Sequence, residues 1–220
     1  MNRRTFLAAL TGILTQPAWV LAKTRCRSTS HGQLCISEVN FKAFQQHAYK
    51  RQQKSQWCWA ACISMLFTYY GHPVSQRRIV EEVYGNPVNM PAKAGIVMAR
   101  QLNREWVDDR GKSFTSTLTA VYDFAYKVFA IEDRRLIDEL DSNHPLVIGA
   151  GHHAMVLTSV QYYRTPKGPR LISGGVFDPW PGRGPRSLIP RELVFAHQGG
   201  LLHFAATVKV APVQSSRPTK

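Results

Sequence analysis

The chain has 220 residues, 44% of them hydrophobic, with 28 Lys and Arg against 14 Asp and Glu for a formal net charge of +14. That length and apolar content supply one sizeable core and call for no second domain. No internal repeat, heptad, nucleotide-binding glycine loop or nucleic-acid motif occurs. The basic residues are scattered (Lys50, Arg51, Arg77, Arg78, Arg134, Arg135, Arg183, Arg186), a solvated surface that favours anionic partners and not a specific nucleic-acid interface.

Residues 1–22 read as a signal peptide: Arg3 and Arg4, a short apolar stretch, then Val20-Leu21-Ala22 with cleavage after Ala22. Arg3-Arg4-Thr5-Phe6-Leu7 also resembles a twin-arginine signal, and the choice between that route and the Sec route stays open. Thr11, Thr15, Gln16 and Pro17 interrupt the run, so no membrane anchor is expected. An exported bacterial protein, periplasmic or secreted, follows. Loss of Arg3 and Arg4, with no acid removed, leaves +12.

In segment 23–43, Cys26 and Cys35 lie in what reads as a polar loop, and an oxidising destination predicts that they pair. From 44 to 210 the pattern predicts one domain. Its first helix starts at Cys58 and carries Ile63, Met65, Leu66, Phe67, Tyr69 and Tyr70, with Gly71 as its stop. Ser75 is an N-cap for Gln76–Tyr84, with Gly85 following. Further helices are predicted over about Ala92–Asn103 and Ile131–Leu140, and strands over Pro145–Leu157 (broken at Gly149–Gly151), Val176–Asp178 and Leu201–Val210. The tail 211–220 reads as disordered.

Chemistry concentrates in two places. Gln52-Gln53-Lys54-Ser55-Gln56-Trp57-Cys58-Trp59-Ala60-Ala61-Cys62 puts Cys58 at a helix N-terminus, where unpaired N–H groups favour thiolate over thiol. Cys62, one turn on, suits a buried free thiol, because helical i,i+4 geometry suits a disulfide poorly. About a hundred residues later, His152-His153-Ala154-Met155-Val156 opens a strand and Asp178-Pro179-Trp180 closes another. Strand alternation places His153 with Met155 and Leu157 and turns His152 away. Gln52 sits six residues before Cys58, where its amide could donate to an oxyanion; Gln53 and Gln56 are alternatives. A zinc site of Cys58, Cys62, His152 and His153 is the competing reading, although it lacks the tight paired spacings of such sites.

With these residues in this order, the chain resembles papain-like cysteine proteases. It is closest to the compact bacterial branch that includes double-glycine peptidase-like proteins and plant-pathogen effector proteases. The resemblance spans about Phe44 to Gly182. It implies an α+β fold with an N-terminal helical half packed on a C-terminal antiparallel sheet and the site in the cleft between. It also implies Cys58 as nucleophile, His153 as base, Asp178 as the orienting residue and Gln52 as oxyanion donor. Papain has Asn where this chain has Asp178, so an amide is expected to be tolerated there. The implied activity is hydrolysis of peptide or amide bonds by a monomer without cofactor, on a protein or peptide substrate that the net charge inclines toward anionic. A non-catalytic basic binding protein on the same fold, or an amidase or acyltransferase acting on cell-wall peptides, are the alternatives.

Overall fold

The computed structural model describes residues 24–213. The predicted signal segment and most of the predicted disordered tail lie outside the described residues. Within them, no helix is long and apolar enough to cross a membrane.

The chain begins with a hairpin, β1 (Arg25–Thr29) and β2 (Gly32–Glu38). Cys26 and Cys35 stand opposite each other in its register and form the disulfide. The sequence suggested a loop here because β1 is an edge strand exposed on both faces, so no alternation of apolar residues marks it. A disulfide closing so short a loop contributes at most about 2–3 kcal/mol. Replacing both cysteines by serine should lower the thermal midpoint, measured by circular dichroism, and leave the reactivity of Cys58 unchanged.

After a helical turn, α1 (Phe41–Ala43), continued by a wider π-helical turn over Phe44–Ala48, come α2 (Cys58–Tyr69), α3 (Gln76–Tyr84) and α4 (Gly95–Leu102). Helix α2 ends in a Schellman motif: Gly71 adopts φ +84°, its N–H bonds Thr68 O, and His72 N–H bonds Phe67 O. Ser75 accepts from Arg78 N–H at the start of α3, and Gly85 closes that helix in the left-handed region. Helix α4 begins three residues later than expected, at Gly95.

Strands β3 (Arg104–Val107), β4 (Ser113–Asp123) and β5 (Val128–Phe129) follow, then α5 (Asp133–Asp141), β6 (Leu146–Ala150), β7 (His153–Thr165), β8 (Gly168–Asp178), β9 (Gly184–Ser187), the turn α6 (Pro190–Leu193) and β10 (Leu202–Pro212). They form one antiparallel sheet with the order β1-β2-β7-β6-β10-β4-β3, while β5 pairs with β4 and β8 joins β7 to β9. Ala211 and Pro212, expected in the disordered tail, extend β10 along β4.

Both faces of the sheet are covered. Val147, Val156 and Ala206 pack with Ile63, Leu66 and Phe67 of α2, whereas Leu146, Ile148, Met155 and Leu157 pack with Leu136, Ile137 and Leu140 of α5. Alternate residues of β6 and β7 therefore serve two cores, which is why these strands read as unbroken apolar runs. This is the expected α+β architecture, with α5 as a third layer.

Candidate active site

Cys58 is the first residue of α2 and is partly exposed; Cys62, one turn later, is free and fully buried. Trp57 at the N-cap provides no side-chain cap, so the first-turn N–H groups are not satisfied by it. The two tryptophans flanking Cys58 are anchors. Trp57 Nε1 donates to Val88 O (2.8 Å) and Trp59 Nε1 to Met90 O (3.1 Å). Gln56 N–H bonds Asn89 Oδ1 and Asn89 Nδ2 bonds Ser55 Oγ. Four bonds thus fasten segment 86–94 to the approach to Cys58 and make it one wall of a cleft.

His153 opens β7 directly after a two-residue turn in which Gly151 (φ +56°) and His152 (φ +65°) are both left-handed, the geometry of a type I′ hairpin. The turn, and not strand alternation, is what separates the two histidines. His152 belongs to the turn, not the strand, and its ring lies in the cleft 6.2 Å from that of His203. His153 Nε2 bonds Asp178 Oδ1 at 2.6 Å, which leaves its other ring nitrogen for the Cys58 thiol on the same cleft.

The electrostatics of the three groups are consistent. Burial pushes the Cys58 thiol up, but hydrogen bonds from His153 and from the backbone at Ala154 and Trp59, with the charge of His153, outweigh it and the pKa falls. Burial opposes charge on His153, yet its bonds to Asp178 and Cys58 raise its pKa to about 9. Asp178 is buried, which by itself disfavours the carboxylate; hydrogen bonds from His153, Arg186 and Trp180 N–H hold it well below the usual range. A thiolate–imidazolium pair braced by a carboxylate is the state this arrangement favours. Cys62 goes the other way: burial, and the negative charges of Cys58 and Asp178, raise it well above an ordinary thiol.

Gln52 is buried beside this group, and its backbone N–H bonds Pro179 O (2.8 Å), tying the approach loop to the turn after Asp178. Its Nε2 donates to Lys54 O and Ser55 O, leaving Oε1 buried without a partner. Gln56 lines the cleft, while Gln53 bonds Gln76 through its backbone. Among the described residues no three His, Cys, Asp or Glu side chains converge as a metal site, so the four members of the zinc alternative do not form one.

The cleft encloses about 460 Å³ between segment 91–95, the ends of β4, β6 and β10, and the Cys58–His153 pair. Lys93 and Asp123 both line it, with His152 and His203, so it carries no single sign of charge. Gly95 is there for want of space, since a Cβ would overlap Asp123 Oδ2 and the Phe204 ring. Gly95→Ala should destabilise the fold by about 1–3 kcal/mol, read as a shift in urea midpoint.

The sequence reading missed Arg186 and Glu192, which brace Asp178 from behind. In the sequence Arg186 reads as one of the scattered surface cations, and only its position eight residues after Asp178, across the Gly182–Gly184 turn, marks it.

A partly exposed cysteine of lowered pKa at a helix N-terminus faces a carboxylate-braced histidine at the end of an antiparallel sheet. That combination defines the class: a cysteine peptidase of papain-like architecture. The sequence profile of the Peptidase_C39 like family matches residues 38–183, about two thirds of the chain, and the protein belongs to that family. Two solved structures are similar to it. The peptidase domain of Streptococcus ComA, a bi-functional ABC transporter involved in a quorum sensing pathway, is 16% identical with a TM-score of 0.43, covering 76% of this chain and 99% of its own. A double glycine motif protease from an AMS/PCAT transporter, in complex with the leader peptide, is 13% identical with a TM-score of 0.41, covering 80% of this chain and 99% of its own. No curated protein matches the chain.

Proposed function

We propose that the protein is an exported bacterial cysteine peptidase that hydrolyses peptide bonds through Cys58, His153 and Asp178. The observation that carries this reading is the 2.6 Å bond from His153 Nε2 to the buried Asp178, with Cys58 at the start of α2 lining the same cleft as His153. The Cys58 thiolate attacks the scissile carbonyl carbon. The charge that builds on the carbonyl oxygen is met by the Cys58 N–H and the Gln52 amide. Both Gln52 amide hydrogens rest on carbonyls of Lys54 and Ser55, so Gln52 serves the oxyanion by releasing one of them. Collapse of the tetrahedral species breaks the C–N bond, and the His153 imidazolium gives its proton to the departing amine. Water, deprotonated by the now neutral His153, then releases the acyl group. Removing one oxyanion donor costs about 10²–10³ in kcat, and Gln52→Ala is expected to fall in that range in a reporter-peptide assay.

Two features support a peptide as substrate: membership of a peptidase family and an open cleft leading to Cys58. The mixed lining of that cleft gives no support to a strictly anionic substrate, so the net charge acts at longer range. The test is to incubate the chain beginning at Lys23 with a mixed peptide library and sequence the products by mass spectrometry. New free carboxyl termini, absent in Cys58→Ala, are expected; transfer to added amines without hydrolysis would favour an acyltransferase. Export rests on residues 1–22, and protein recovered outside the cytoplasm should begin at Lys23.

A further inference from the structure

We propose that Arg186, clamped by Glu192, makes this site depend on a carboxylate at position 178 and thereby fixes the tautomer of His153. The proposal rests on the Cys58–His153–Asp178 reading and concerns a residue that touches neither the thiol nor the substrate.

Asp178 is fully buried, and the side chains and backbone group that bond its carboxylate all donate. His153 Nε2 (2.6 Å) and Trp180 N–H (2.9 Å) share Oδ1. Arg186 Nε (2.9 Å) and Arg183 Nη1 (3.5 Å) reach Oδ2. Arg186 is held in place from its far side: Nη1 and Nη2 fork onto the two oxygens of Glu192 at 2.8 and 2.9 Å, and Nη2 lies 2.9 Å from Met155 Sδ. Glu192 is itself fixed by Ile189 N–H. A guanidinium has five donors and no acceptor, so it cannot adapt to a partner that also donates.

A carboxylate satisfies this ring of donors; an amide cannot. With its oxygen toward His153 and Trp180, an asparagine would press its NH₂ against the guanidinium. Turned over, it would give its oxygen to Arg186, leave the Trp180 N–H without its acceptor and present NH₂ to His153 Nε2. That nitrogen would then have to accept, and the ring proton would move to the nitrogen facing Cys58, which could no longer take the thiol proton. The cation makes the second arrangement the favoured one. The tolerance of an amide expected from the sequence should therefore fail here, and Arg186 is the reason.

The test compares four variants by kcat/KM on one reporter peptide and by the pH profile of Cys58 alkylation without substrate. Asp178→Asn should lose about 10²-fold or more, within the penalty of about 10⁴ that a wrong tautomer carries in a serine triad. Adding Arg186→Gln supplies an amide that can accept from the asparagine NH₂ while still donating to Glu192. The double variant D178N/R186Q should regain at least about tenfold and recover alkylation at about pH 6. D178N/R186K, which keeps a donor-only cation, should regain nothing. R186Q alone should cost less than D178N. Near-wild-type activity of D178N, or equal recovery with Gln and Lys, would overturn the proposal. Should D178N be too unstable to assay, its lowered thermal midpoint should be restored by R186Q and not by R186K, and recovery by neither or by both would overturn it. If the unmodified chain cuts no peptide at all, the peptidase reading of the site fails, while the order of the alkylation profiles still decides the role of Arg186.

Discussion

Cys58→Ala should abolish hydrolysis of any peptide the unmodified chain cuts, while its thermal midpoint moves by no more than a few degrees. The size follows from role: removing the nucleophile of a working triad costs about 10⁶ in kcat. The fold should bear it, because Cys58 sits partly exposed at the first position of α2, at the edge of the core, and alanine removes only its sulfur. Cys62 cannot stand in. It is fully buried, and burial together with the charges on Cys58 and Asp178 raises its pKa, so its thiolate is scarce where Cys58 is ionised. Turnover measured alongside circular dichroism separates lost chemistry from lost structure.

His153→Ala should remove turnover almost as completely and also change Cys58 before any substrate arrives. The largest effect on the thiol is burial, which raises its pKa, and His153 supplies both a hydrogen bond and a charge against it. Without the imidazole, alkylation should retreat to the range of an ordinary thiol, about pH 8.5 or above. In the unmodified protein the ion pair exists between the lowered pKa of Cys58 and the His153 value of about 9. Activity should therefore rise with pH as Cys58 ionises, hold across neutrality, and fall near pH 9 as His153 loses its proton. Linkage gives stability the same alkaline edge. A histidine raised from 6.5 contributes stability fully below 6.5 and loses it as pH passes about 9. Asp178, lowered, contributes above the ordinary carboxylate range and loses its contribution only in strong acid.

Much of this site was legible in the sequence because its members are locally marked. Cys58 opens an apolar run that ends at a glycine, and the stop is a Schellman motif built on Gly71. His153 and Asp178 sit at the ends of apolar strands, where turn residues give their place away. Ser75 and Gly85 bound α3 as capping chemistry predicts. The illegible parts are those whose signal is tertiary. Strand β4, eleven residues of Thr, Ser and a few apolar side chains, is partly exposed along much of its length and carries no clean alternation. The β1–β2 hairpin is an exposed edge. Arg186 is indistinguishable from a surface arginine until β8 and β9 pair Asp178 with Gly184 and bring it back onto Asp178. Nothing local to Trp57 and Trp59 marks the role of their indole N–H groups, which fasten the cleft wall at Val88 and Met90, a contact thirty-one residues away in sequence.

The most direct measurement of the central claim is alkylation of the native protein across pH, with the modified cysteines mapped by mass spectrometry. A thiolate stabilised by a helix terminus and an imidazolium reacts at about pH 6, where an ordinary thiol is almost inert. Cys58 alone should be modified there, loss of activity should track its modification one for one, and Cys62 should react only after denaturation. Equal labelling of Cys62 in the native protein, a Cys58 that reacts only above about pH 8.5, or a Cys58–Cys62 disulfide in the isolated chain would each contradict that claim.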